Sequence, residues 1–190
     1  MIRAVIFDCF GVLVRGSLET FHDRYFRDDP ELLQQARDLD AATSSGMIPY
    51  GEFLRARAKP AGISVKQVQA ILDDTPANER LLDYIRDELK PRYRIGMLSN
   101  AGDNWLDDLF SKDQQALFDD FVLSYRYKMS KPDERIYRIA AENLGVEPSE
   151  CVFIDDIARY CDGARDVGMQ VIQYEAFEQF QTDISAVLKT

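Results

Sequence analysis

The chain has little of what several function classes require. Among 190 residues there are one histidine and three cysteines, and 23 basic residues face 33 acidic ones. Cys9, Cys151 and Cys161 lie in or beside expected strand ends, with neither zinc-type nor redox spacing, and read as reduced packing residues. His22 falls on an apolar helix face and reads as a packed or surface histidine and no catalyst. The formal net charge of −10 excludes nonspecific attraction to nucleic acid or to an anionic membrane, and an anionic substrate needs a local positive site to overcome that field. The first apolar run is too short for a membrane span and lacks the basic leader and cleavage site of a signal peptide, so a cytoplasmic protein is expected. Repeats, low-complexity tracts and flexible linkers are also missing.

What is present is globular: 46% of the residues are hydrophobic and 29% charged, enough for a sizeable core. The chain is organised around Ile2-Arg3-Ala4-Val5-Ile6-Phe7-Asp8, an apolar run that stops on one carboxylate and resumes after Gly11. Such a run fits a strand buried on both faces, as in parallel sheets, where ligands lie in the crevice beyond the strand ends.

From Gly16 the pattern turns helical. Ser17 is an expected N-cap for a helix with Phe21, His22, Tyr25 and Phe26 on one face, and Asp29-Pro30 opens a second. Ile48-Pro49 leads into a third with Phe53 and Leu54, and Ser64 caps a fourth with Val65, Val68 and Ile71. Four helices without an intervening strand suggest an all-helical insert over residues 15–76. Arg55 and Arg57 read there as solvated helix charges.

From Asn78 helices and strands alternate. Leu81, Leu82, Ile85 and Leu89 mark a helix, and Tyr93 to Leu98 is a strand ending on Ser99-Asn100. A helix carries Trp105, Leu106 and Leu109, followed by the strand Phe121 to Ser124. Lys131-Pro132-Asp133 opens a helix that stops near Gly145, Cys151 to Ile154 is a strand finishing on Asp155-Asp156, and a helix stopping at Gly168 precedes the strand Met169 to Ile172. Phe177 to Leu188 forms the last helix. The expected fold is α/β, a Rossmann-like parallel sheet with helices on both faces and the helical insert after the first strand. Its core would comprise residues 1–14 and 77–190.

Polar groups at successive strand ends share one edge of such a sheet: Asp8, then Ser99 with Asn100, then Lys131, then Asp155 with Asp156. Three carboxylates beside one lysine leave two uncompensated negative charges, and carboxylates a few ångströms apart raise one another's pKa. A divalent cation compensates them, and hard oxygen ligands favour Mg²⁺ together with a substrate phosphate.

Phe7-Asp8-Cys9-Phe10-Gly11-Val12-Leu13, Leu98-Ser99-Asn100, Lys131-Pro132-Asp133 and Val152-Phe153-Ile154-Asp155-Asp156 stand in the order and at spacings that resemble the haloacid dehalogenase-like hydrolase superfamily. The chain is most similar to that family's small phosphatases with a helical cap, over its whole length. The resemblance implies that residues 15–76 are the cap, and that Asp8 is a nucleophile forming an aspartyl-phosphate. It implies that Ser99 and the backbone amide of Asn100 hold phosphate oxygens while Lys131 neutralises charge. Asp8, the Phe10 backbone carbonyl and Asp156 would bind Mg²⁺, with Asp155 as a further or water-mediated ligand. Phe10 departs from the pattern: active phosphatases of this family usually carry there a second Asp that protonates the leaving alcohol, help worth roughly 10² to 10⁴ in rate. The expected function is a Mg²⁺-dependent phosphatase for a small phosphorylated metabolite of sugar-phosphate type. The alternatives are a 2-haloacid dehalogenase, for which Phe10 argues because halide leaves without a proton, and a non-catalytic phosphometabolite-binding or regulatory protein. Nothing in the sequence specifies an oligomeric state.

Overall fold

The computed structural model describes residues 1–14, 16–44 and 47–189; residue 15, where the expected insert begins, and residues 45 and 46 within it lie outside the described residues. Strand β1 (Ala4–Phe7) is the middle of a five-stranded sheet with β2 (Arg94–Ser99), β3 (Asp120–Leu123), β4 (Cys151–Asp155) and β5 (Gln170–Gln173). The order is β3-β2-β1-β4-β5 and every pairing is parallel.

Side-chain alternation explains why the central strands are continuously apolar. Val5 and Phe7 pack on one face with Ile95, Met97, Val152 and Ile154. Helices α5 (Glu79–Tyr84) and α10 (Phe177–Val187) cover that face through Leu81, Leu82, Phe180 and Ile184. Ala4 and Ile6 point the other way, under Ile136, Tyr137 and Ala140 of α8 (Glu134–Asn143) and Ala164 of α9 (Ala158–Asp166). Each such fully buried large side chain contributes about 1.5–3 kcal/mol before entropy is counted. Gly145 and Gly168 adopt positive φ just past α8 and α9, the left-handed stops expected there.

Between β1 and α5 run α1 (Ser17–Tyr25), α2 (Pro30–Ser44), α3 (Tyr50–Ala61) and α4 (Val65–Leu72). They share an apolar cluster of their own, built on Phe21, Phe26, Phe53, Leu54 and Val68. Ser64 caps α4 in a reciprocal pair with Gln67, as its sequence suggests.

Several local expectations are corrected. Gly16, not Ser17, is the N-cap of α1. Past Tyr84 the α5 helix widens into a π turn over Ile85–Leu89, which keeps both apolar residues buried. The helix expected around Trp105 is two single turns, α6 (Leu106–Leu109) and α7 (Lys112–Gln115). Phe110 between them is extended, and a Ser111–Gln114 capping box restarts the helix. Arg57 is not solvated: it is 1% exposed, its guanidinium carbon 3.7 Å from the Phe53 ring centroid and paired with Asp40. No described helix is long and apolar enough to cross a membrane.

From β1 the chain builds β2 and β3 to one side and then crosses to β4 and β5 on the other. The loops after β1 and β4 therefore diverge, leaving a crevice at the carboxyl ends of the two central strands.

Candidate active site

Register places the two central carboxylates. Phe7 pairs with Ile154, so Asp8 and Asp155 emerge side by side, and the Asp8 amide donates to the Ile154 carbonyl at 2.8 Å. Beyond Asp8 the backbone doubles back at once: the Cys9 carbonyl accepts from the amides of Leu13 and Val14 at 2.8 and 3.0 Å. Gly11, at φ +90°, makes this turn, and a Cβ there would lie 2.3 Å from Asp156 Oδ2. Glycine at position 11 thus serves both the bend and the close approach of the carboxylate.

Lys131 reaches the crevice from the loop after β3, across a cis Lys131-Pro132 bond. Its ammonium donates to Asp8 Oδ1 at 2.7 Å and Asp155 Oδ2 at 2.6 Å, and its side chain is 1% exposed. Asn100 holds this loop like a strand neighbour. Its Oδ1 accepts from the Lys131 amide at 2.8 Å and its Nδ2 donates to the Lys131 carbonyl at 3.1 Å. The same Nδ2 donates to the Tyr160 hydroxyl at 3.2 Å, which also accepts from Arg159 at 2.9 Å. The Tyr160 ring lies 4.8 Å from the Lys131 ammonium, within cation–π range.

The electrostatics are one-sided. Burial pushes the Asp8 carboxyl up to about 8; the Lys131 ammonium opposes this, while Asp155 and Asp156 add to it. Burial alone would lower the Lys131 pKa, but Asp155 and Asp8 outweigh it and hold the ammonium above the ordinary lysine value. One oxygen each from Asp8, Asp155 and Asp156 lies within 4.8 Å of the others. Three carboxylate donors this close, with one cation among them, fit a hard divalent ion. The Ser99 hydroxyl is buried and finds no hydrogen-bond partner among the described residues, so it is available to a ligand oxygen.

Asp8, Phe10, Ser99, Asn100, Lys131 and Asp156 line one cavity of about 350 Å³. Asp155 does not reach it. It stands fully buried behind Lys131, its Oδ1 accepting from the Ile157 amide at 2.9 Å. Phe10 is half-buried, with its ring edge-on to Trp105 at 5.0 Å. The cavity also takes in Arg37 and Asp40 of α2 and Arg159 and Tyr160 of α9, which sequence reasoning missed. For Tyr160 a signal existed, an aromatic residue one turn past the acidic pair; for Arg37 and Asp40 only the folding of α2 toward the sheet brings them there. The two exposed arginines are the local positive charge that offsets the acidic surface.

The model of the family described as haloacid dehalogenase-like hydrolase matches residues 2–168. The bifunctional epoxide hydrolase 2 of Sus scrofa is 29% identical over 202 residues, covering 90% of this chain and 36% of its own length. The chain thus spans only about a third of that relative. The (S)-2-haloacid dehalogenase 4A of Burkholderia cepacia is 24% identical over 196 residues, 90% of this chain and 82% of its own. Among solved structures, a HAD family enzyme from Bacteroides thetaiotaomicron in complex with magnesium and inorganic phosphate is 26% identical, with a TM-score of 0.72 over 93% of this chain and 96% of that one. With the family match running through nearly the whole chain, from β1 past the end of α9, this protein belongs to the haloacid dehalogenase-like hydrolases.

Proposed function

We propose that the chain is a Mg²⁺-dependent phosphatase that hydrolyses a small phosphorylated metabolite through an aspartyl-phosphate on Asp8. The observation that carries this reading is the charge imbalance: Asp8, Asp155 and Asp156 converge within 4.8 Å around a single buried lysine. Such a cluster attracts a hard cation and repels a bare carboxylate substrate. That favours a phosphate arriving with Mg²⁺ over a haloacid, although Phe10, which transfers no proton, would suit either leaving group. The complex of the similar Bacteroides enzyme with magnesium and phosphate supports the same choice.

In this reading Asp8, Asp156 and the Phe10 carbonyl would hold the cation, with Asp155 behind them as a further or water-mediated ligand. Bound Mg²⁺ would neutralise charge on the transferring phosphoryl oxygens. Lys131 holds Asp8 Oδ1, and Oδ2 attacks phosphorus as the bond to the leaving oxygen breaks. The Ser99 hydroxyl and the Asn100 amide receive equatorial oxygens, and Lys131 offsets the charge that develops there. Water then attacks the aspartyl-phosphate, releasing phosphate and restoring Asp8. The Asn100 side chain, committed to the Lys131 loop, acts as a positioning group. Residues 15–76 serve as a cap whose α2 closes one wall of the cavity through Arg37 and Asp40.

Phosphate release from p-nitrophenyl phosphate should require Mg²⁺ and stop with EDTA. Halide release from 2-chloropropionate in EDTA, without phosphate release in Mg²⁺, would replace this reading with the dehalogenase one.

A further inference from the structure

A second, smaller cleft adjoins the cavity that holds Asp8 and Lys131. It has a volume of about 180 Å³, and Phe10, Leu18, Asp40 and Asn100 form part of both walls. Its other walls carry three aromatic rings: Trp105 meets Phe10 edge-on at 5.0 Å, and Tyr50 and Phe53 stack at 5.3 Å. An apolar cavity of about 150 Å³ takes one benzene ring, so this cleft has room for one aromatic ring and its substituent. Its charges have one sign. Asp40, Asp73, Asp103 and Asp108 border it, and none of its described lining residues is basic.

Phe10 stands at the junction between cleft and cavity, and there the shape and the chemistry make the same selection. A leaving group that passes from Asp8 into the cleft meets a phenyl ring and no proton donor at that point. Asp40, the carboxylate at the same junction, is paired with Arg57. An alkyl alcohol departs as a strong base and needs a proton. A phenol, with a pKa of about 10, departs as phenolate without one.

We propose that this cleft is the leaving-group subsite and that the substrate is a phosphate monoester of an aromatic alcohol, neutral or cationic on its ring. The inference rests on the phosphatase reading above, and it replaces the sugar expected from sequence with an aryl group. In the first step a bond forms between an Asp8 oxygen and phosphorus while the bond from phosphorus to the aryl oxygen breaks. Both bonding electrons stay on the phenolate, which takes a proton from solvent after release. A second anion on the ring would face the four carboxylates.

The test is steady-state kinetics with Mg²⁺ on five phosphates: phenyl phosphate, its 4-aminoethyl and 4-carboxy derivatives, glucose 6-phosphate, and acetyl phosphate. Acetyl phosphate has a good leaving group and no ring. Phenyl phosphate should exceed glucose 6-phosphate in kcat/KM by about 100-fold or more. The aminoethyl derivative should match or exceed phenyl phosphate, and the carboxy derivative should fall about tenfold below it. Trp105→Ala should lower kcat/KM for phenyl phosphate about tenfold more than for acetyl phosphate. If acetyl phosphate is hydrolysed but glucose 6-phosphate is used as well as phenyl phosphate, the aryl subsite is wrong and the phosphatase reading stands. Hydrolysis of none of the five would overturn both.

Discussion

Lys131 at the strand ends and Arg57 among the cap helices are both almost fully buried cations, and each is met by carboxylate, but the charge counts differ. Around Lys131 stand Asp8 and Asp155 in direct contact, with Asp156 beside them, so the cluster lacks positive charge. Around Arg57 stand Asp40 and His22, and the sum is close to zero. His22 Nε2 lies 3.4 Å from Asp40 Oδ2 without hydrogen-bond geometry. Burial, then Arg57 and Arg37, lowers its pKa to about 4, which keeps the imidazole neutral. The Arg57 guanidinium donates through its terminal nitrogens to the Ala36 and Phe53 carbonyls and to Asp40, while its Nε finds no hydrogen-bond partner among the described residues. A balanced cluster of this kind fixes packing. An unbalanced one that opens on a cavity awaits a ligand of the missing sign.

That contrast breaks or sharpens under substitution. The largest effect is expected from Lys131→Met, which removes the sole ammonium from the strand-end cluster. Phosphate release should fall by roughly 10³-fold, as for the loss of one charge-stabilising donor. A variant within tenfold of the parent would mean that Lys131 is packing alone.

Arg57→Met comes next, and its signature is inverted. Breaking a buried pair costs about 3–5 kcal/mol, and the low end applies because Asp40 keeps 21% of its side chain exposed. Urea unfolding should register a loss of about 3 kcal/mol, while turnover of acetyl phosphate, which carries no ring into the cleft beside Asp40, changes little per folded molecule. Intact stability with collapsed turnover would move Arg57 from architecture to chemistry.

At neutral pH the smallest effect belongs to His22. Its folded pKa, about 4, lies below the unfolded value of 6.5, so the unfolded chain binds the proton first. Stability is fully present above about pH 6.5 and declines as pH falls toward 4, by up to about 1.4 kcal/mol per unit. His22→Gln should flatten that slope in unfolding titrations. An unchanged slope would place the acid sensitivity elsewhere.

How much of this was legible in the sequence depended on the range of the interactions. Strands could be read because short apolar runs end on polar residues, and Asp8, Ser99, Asn100, Lys131 and Asp156 could be grouped because parallel strands end on one edge. What that grouping does remains the proposal above. Arg57 was misread although its spacing held the answer: it sits four residues after Phe53 and beside Ala58, on the face that α3 buries. Ser111 and Gln114 likewise spelled a capping box that divides the helix after Trp105. The Asn100 clamp on Lys131 and the approach of α2 to Phe10 join residues far apart in the chain, and local pattern carries no trace of them. Over the five residues of the π turn, Ile85 and Leu89 are buried in either helical form, so periodicity did not distinguish them.

The central claim is that the strand-end carboxylates make Asp8 a phosphoryl acceptor. Its most direct test is a phosphoenzyme trap: protein with Mg²⁺ and acetyl phosphate is quenched in acid, digested and weighed by mass spectrometry. One phosphoryl group should appear on the peptide containing Asp8 and be absent from the Asp8→Asn variant. Phosphate release at full rate by Asp8→Asn, or a label on any other residue, would contradict it.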